Sequence, residues 1–156
     1  GLLGLNYTFS SGWNVVAEFY HDQEGLSVQE LDHQTDFIAY NEQQHYLQAG
    51  GNPAAITLPA ANLLWSLQRF SRVVPARQYL FVRVSRSRMK QKWDVESITI
   101  LNLHDGSSTW IPQVSYDFSQ RFGAYMRYNY YAGSRFSEYG LLPLRGTWIA
   151  GLAFRY

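Results

Sequence analysis

The chain has 156 residues and a net charge near +1, with only 16% charged residues against 17% aromatic, 12 of them Tyr. That length suits one domain with a sizeable core, while so little charge beside so many rings is unusual for a surface that faces only water. Mean hydropathy is slightly negative and no run of 18 apolar residues occurs, which excludes a transmembrane helix but leaves a membrane β-barrel open.

The absence of Cys excludes a disulfide framework, a zinc–thiolate site and a thiol nucleophile. There is no Gly-rich phosphate loop, zinc finger or basic helix, so no nucleic-acid partner is expected. The charge is unevenly placed. Residues 1–68 hold seven acids and no Lys or Arg, and all 13 basic residues follow from Arg69 onward. The densest basic run, "RVSRSRMKQK" (Arg83, Arg86, Arg88, Lys90, Lys92), sits between strand patterns and fits a turn at a membrane surface better than a nucleic-acid patch.

Strict alternation bounded by turn residues is the main structural signal. It predicts strands over 2–9 and 13–21, joined by "SSG". After a long interval come strands over 77–86 and 93–104; in the second, Ile98 and Ile100 fall on the polar side, which a bulge would explain. Cleaner runs follow at 109–118, 122–132 and 146–156. Residues 22–76 are expected to form a long loop with one short amphipathic helix at about 60–72 ("PAANLLWSLQRF"). A missed eighth strand at about 35–48 is the alternative explanation of the odd count of seven.

The connections alternate between very short ("SSG", "SQR") or modest ("SRMKQK") and long, the asymmetry of outer-membrane barrels. One phase of the strands carries Glu18, Arg83, Asp94, Glu96, Gln113, Asp117, Arg127, Asn129 and Arg155, expected to line a lumen. Aromatics gather toward strand ends (Trp13, Phe19, Trp93, Trp110, Phe118, Phe122, Tyr130, Trp148, Phe154, Tyr156), as two interfacial girdles facing lipid would require. A soluble sandwich or lipocalin-like barrel also alternates, and the ring placement favours the membrane over it.

The ending "AGLAFRY", a strand alternating to a terminal aromatic, resembles the carboxy-terminal signature of Gram-negative outer-membrane β-barrel proteins, and "IPQVSYDFSQRFGAYMRYNYYAG" is similar to their penultimate hairpin. The resemblance covers about the last 50 residues. It implies an all-β, antiparallel transmembrane barrel in the bacterial outer membrane, with outer-membrane lipid around it and the terminal strand recognised by the barrel-assembly machinery. Seven strands are odd, whereas single-chain bacterial barrels have even numbers. The expectation is therefore part of a larger barrel whose other strands lie outside this sequence or on another chain.

His21, His33 and His45 recur at twelve-residue spacing among Asp22, Glu24, Glu30, Asp32 and Asp36, but match no compact ligand motif or EF-hand. Ser107 and Ser108 beside His104 and Asp105 could suggest a hydrolase, yet "LHDGSS" reads more simply as an Asp-Gly hairpin turn. Asp94 and Glu96 suit charge partners better than a general acid and base. No enzyme, metal or cofactor is expected. The favoured function is a passive pore or transport channel whose entrance is restricted by the long loop. The alternative is a structural barrel that anchors or assembles an envelope complex.

Overall fold

The computed structural model describes residues 1–48, 62, 76–89, 92–135, 137–142 and 144–154. Seven strands pair in chain order into one antiparallel sheet: β1 (Leu2–Thr8), β2 (Asn14–His21), β3 (Gln78–Met89), β4 (Trp93–Asn102), β5 (Ser108–Asp117), β6 (Phe122–Ala132) and β7 (Gly146–Phe154). Every adjacent pair is antiparallel, as short hairpin connections allow. The sheet does not close on itself, because β1 and β7 each have a strand neighbour on one side only among the described residues. The expected strands are thus present within a few residues, and they form an open sheet, with no closed barrel among the described residues.

Two expectations within the strands need correction. β3 runs on to Met89, and the irregularity in register lies there, between Arg86 and Met89, where Arg88 has φ 54°. β4 itself keeps one register throughout, so Ile98 and Ile100 do belong to the polar face. Their apolar character has a local cause. Ile98 stands between Arg83 and Ile111, and Ile100 packs against a small core of Leu31, Ala76 and Tyr79 at the rim.

The long interval contains an element the periodicity did not reveal. Residues Val28–Gln48 form helix α1, which replaces both the loop and the alternative strand expected at 35–48. Its start is a capping box: the Ser27 N–H and hydroxyl donate to Glu30 Oε2 at 2.7 and 2.6 Å, and the Glu30 N–H returns a 3.4 Å contact to Ser27 Oγ. These bonds hold the Glu30 carboxyl below its ordinary pKa. The Ser-x-x-Glu signature was visible in the sequence. The apolar stripe was not, because among the described residues the buried seam is Leu31, Ile38 and Asn41, and Asn41 is polar. Its amide is satisfied in place, donating to the Phe37 carbonyl at 2.7 Å and accepting from Asn62 at 2.9 Å. The helix expected at 60–72 lies outside the described residues apart from Asn62. Ser27→Ala is expected to cost about 0.5–2 kcal/mol, read as a lower midpoint in chemical unfolding followed by circular dichroism.

Burial runs against the pattern of a water-soluble sheet. The only buried hydrophobic residues among those described are Leu31, Ile38, Ala76 and Tyr79, at or beneath α1. In β7 exposure alternates residue by residue, and the exposed phase is the apolar one: Trp148, Ala150, Leu152 and Phe154. The sizeable core suggested by the length is therefore absent from the described residues, and the large side chains lie on an open face.

Candidate functional site: a polar face capped at one rim by an acidic helix

The register assigns every strand residue to one of two faces. Rows across the sheet, such as Val84–Ser97–Pro112 and Val95–Val114–Met126–Ala150, make one face apolar. Phe19, Trp93, Trp110, Phe122, Tyr130, Trp148 and Phe154 all fall on it. Trp13 and Phe118 flank its strands, with Phe118 edge-on to Tyr116 at 5.1 Å. Rings meet across strands, Trp93 with Tyr116 at 4.5 Å and Phe122 with Phe154 at 4.9 Å. The Trp110 indole N–H donates to Ser97 Oγ at 2.8 Å. Tyr156 lies outside the described residues.

The opposite face gathers Glu18, Arg83, Asp94, Glu96, Gln113, Asp117, Arg127 and Asn129. Arg155 lies outside the described residues. Arg83 Nε is 3.9 Å from Glu96 Oε2, and the two line an open cavity of about 320 Å³ with Asp94, Gln113 and Ser115. The two cations are not fully engaged: Arg83 Nε and Arg127 Nε are sheltered and make no hydrogen bond among the described residues. The Tyr125 ring lies over Gly151 of β7, where a β-carbon would come within 2.5 Å of the ring, so a larger residue there would displace it. At the β1–β2 end, Asn14 donates to Asn6 at 2.6 Å and Thr8 at 2.9 Å.

The two ends of the sheet differ. At one rim the connections are the short ones after β1, β3 and β5; at the other are α1, the β4–β5 turn and residues 133–145. Helix α1 is acidic, and each of three carboxylates meets a nitrogen-bearing side chain from a different segment: Glu30 the Arg77 guanidinium at 3.8 Å, Asp32 the His104 imidazole at 3.1 Å, and Glu42 the Arg135 guanidinium. The split of charge along the sequence is thereby explained in part, since the acidic stretch docks onto residues of the basic one. Exposed pairs of this kind contribute little individually. Their value here is to fix where the helix lies.

Beneath the helix is a cluster that no sequence pattern singles out. Glu138, the only acid of residues 133–145, sends its carboxylate to the sheet end. The Tyr79 hydroxyl donates to Glu138 Oε2 at 2.6 Å and Asn102 Nδ2 donates to the same oxygen at 2.7 Å, while the Glu138 N–H donates to Asp105 Oδ2 at 2.7 Å. Burial raises the Glu138 pKa to about 7 despite the two donors, with the Asp105 charge adding to the rise. Each hydrogen bond comes from a different element, so the cluster ties the 133–145 segment to β3, β4 and the β4–β5 turn.

The other sequence candidates are not assembled into a reactive centre. His33 and His45 lie twelve residues apart on α1, about 18 Å along its axis, and so cannot share one ion. Among the described residues no three His, Asp or Glu side chains converge on a metal-sized site. The "LHDGSS" segment is a turn: Gly106 adopts φ 69° and donates to the Asn102 carbonyl at 3.0 Å, and the Ser107 N–H donates to Asp105 Oδ1 at 2.8 Å. Ser107 is fully buried and its hydroxyl accepts from the Tyr139 N–H at 3.3 Å, while His104 is engaged by Asp32.

Fold and site together define a class: an all-β, open antiparallel meander with one apolar and one polar face, capped at one rim by an acidic helix. Comparison with protein families, with curated proteins and with solved structures finds no match for this chain.

Proposed function

We propose that the chain is part of an outer-membrane β-barrel, with the apolar face against lipid and the polar face lining a lumen, and that the barrel serves as a passive pore for small solutes. The observation that carries this reading is the reversal of exposure. Leu3 (75%), Trp148 (66%) and Leu152 (86%) are freely accessible on the apolar face, whereas the helix covers the polar face at its rim. A bilayer would bury the first set and leave the second wet. Strands of 9–12 residues in β3–β7 also suit a hydrocarbon layer crossed at a tilt. The rim bearing α1 would be the extracellular one, and α1 would narrow its entrance.

Because β1 and β7 run in the same direction, fully antiparallel closure needs an odd number of further strands between them. Those open edges favour one second reading, a structural barrel completed by another chain. Single-channel recording in a planar bilayer separates the two. Ohmic steps are expected for the pore; protein folded into the bilayer that stays silent defeats it.

A further inference from the structure

Arg86 and Lys92 are two cations at the short-connection rim that sit against aromatic rings on the apolar side of the sheet. Arg86 follows Val82 and Val84 in phase and pairs with Val95, which puts it on the apolar face. Its guanidinium carbon is 5.8 Å from the centre of the Trp13 ring, and its Nε is 3.8 Å from where a β-carbon on Gly12 would stand, so it lies against the β1–β2 turn. The Lys92 ammonium is 5.9 Å from the centre of the Tyr116 ring. Neither is among the ion pairs formed by the described residues. Arg88 and Arg121 are exposed at the same rim, while Asp94, which accepts from the Arg88 N–H at 2.8 Å, and Asp117 lie on the other face. The apolar side of this rim is therefore cationic and the polar side acidic.

We propose that this rim binds the phosphate of an anionic phospholipid headgroup, with Arg86 and Lys92 as its ligands. The inference rests on the membrane reading above, and the chemistry is specific. A guanidinium offers paired donors to phosphate oxygens and an ammonium adds a point charge. Trp and Tyr rings settle at headgroup depth, where phosphates are, and here the same rings back the two cations and hold them at that level. Each cation near an anionic membrane surface is worth about a five-fold gain in binding, so two together predict a preference of about twenty-five-fold for an anionic over a zwitterionic lipid.

The test uses the full chain folded into vesicles in which brominated lipid quenches Trp fluorescence. Quenching by brominated phosphatidylcholine reports contact with lipid; the excess quenching by brominated phosphatidylglycerol in mixtures reports the site. The wild type is expected to favour phosphatidylglycerol, the Arg86→Gln/Lys92→Gln variant to lose that preference while phosphatidylcholine still quenches it, Arg86→Lys to keep part of it, and Arg145→Gln at the opposite rim to keep all of it. Equal quenching of the wild type by both lipids overturns the site and leaves the membrane reading standing. No quenching by either lipid overturns both. A preference that survives the double variant also overturns the assignment to these two residues.

Discussion

Met126→Lys is expected to cost the folded protein about 2–4 kcal/mol in a bilayer. Met126 lies on the apolar face of β6 between Val114 and Ala150, midway between the rims, and is 47% exposed. In water, a charge at so accessible a position would change stability by no more than about 0.5 kcal/mol. The same substitution therefore has two different outcomes depending on what covers this face. Ser115→Lys is the control, since it places a cation on the opposite face, opposite Asp94 and Tyr125. Urea unfolding of both variants from phospholipid vesicles, followed by Trp fluorescence, should give a large loss for Met126→Lys and a small one for Ser115→Lys. Equal, small losses would remove lipid from the apolar face and the barrel reading with it.

Stability is expected to fall as pH rises from about 4.5 to 7, through Glu138. Its carboxyl in the folded chain has a pKa of about 7, against 4.5 for an ordinary Glu. The folded state then holds a proton that the unfolded chain releases first. The favourable contribution is complete below the unfolded value, declines through the window and is gone above the folded one. At about 1.4 kcal/mol per pKa unit the loss is on the order of 3 kcal/mol. Glu138→Gln keeps an acceptor for Tyr79 and Asn102 without an ionisable proton, so its stability should be flat over the same range after subtraction of the background it shares with the wild type. Because the cluster ties residues 133–145 to the sheet end, tryptic cleavage after Arg135 at neutral pH should be slower in Glu138→Gln. A wild type whose stability is also flat would show that Glu138 does not hold its proton.

Strands were legible because each of their residues has a fixed alternating address. From Leu2 to Phe154 the strands and the sorting of Arg83 and Glu96 against Val82 and Val95 follow from period two, and the short connections from the turn residues between the runs. Helix α1 was illegible for the complementary reason. Its buried seam is narrow and includes Asn41, its outer face carries Phe37 and Tyr40 at 41% and 61% exposure, and so its apolar residues do not form one stripe. The Ser27–Glu30 capping box was the one local signal available.

The rim cluster had no local signal at all. Glu138, Asn102 and Tyr79 are separated by 36 and 59 residues along the pairs that join them, and nothing in a lone Glu within a loop says that it will be buried. Likewise, the sequence placed seven acids before the first basic residue, but only the packing of α1 across the rim matched Asp32 to His104 and Glu42 to Arg135. Composition and alternation by themselves determined an antiparallel sheet with one polar and one apolar face, since both depend only on neighbouring residues. Which face is left open, where the ladder shifts at Arg88, and which carboxylate gives up its solvent were decided by tertiary structure, because burial and pairing are properties of segments brought together from far apart in the chain.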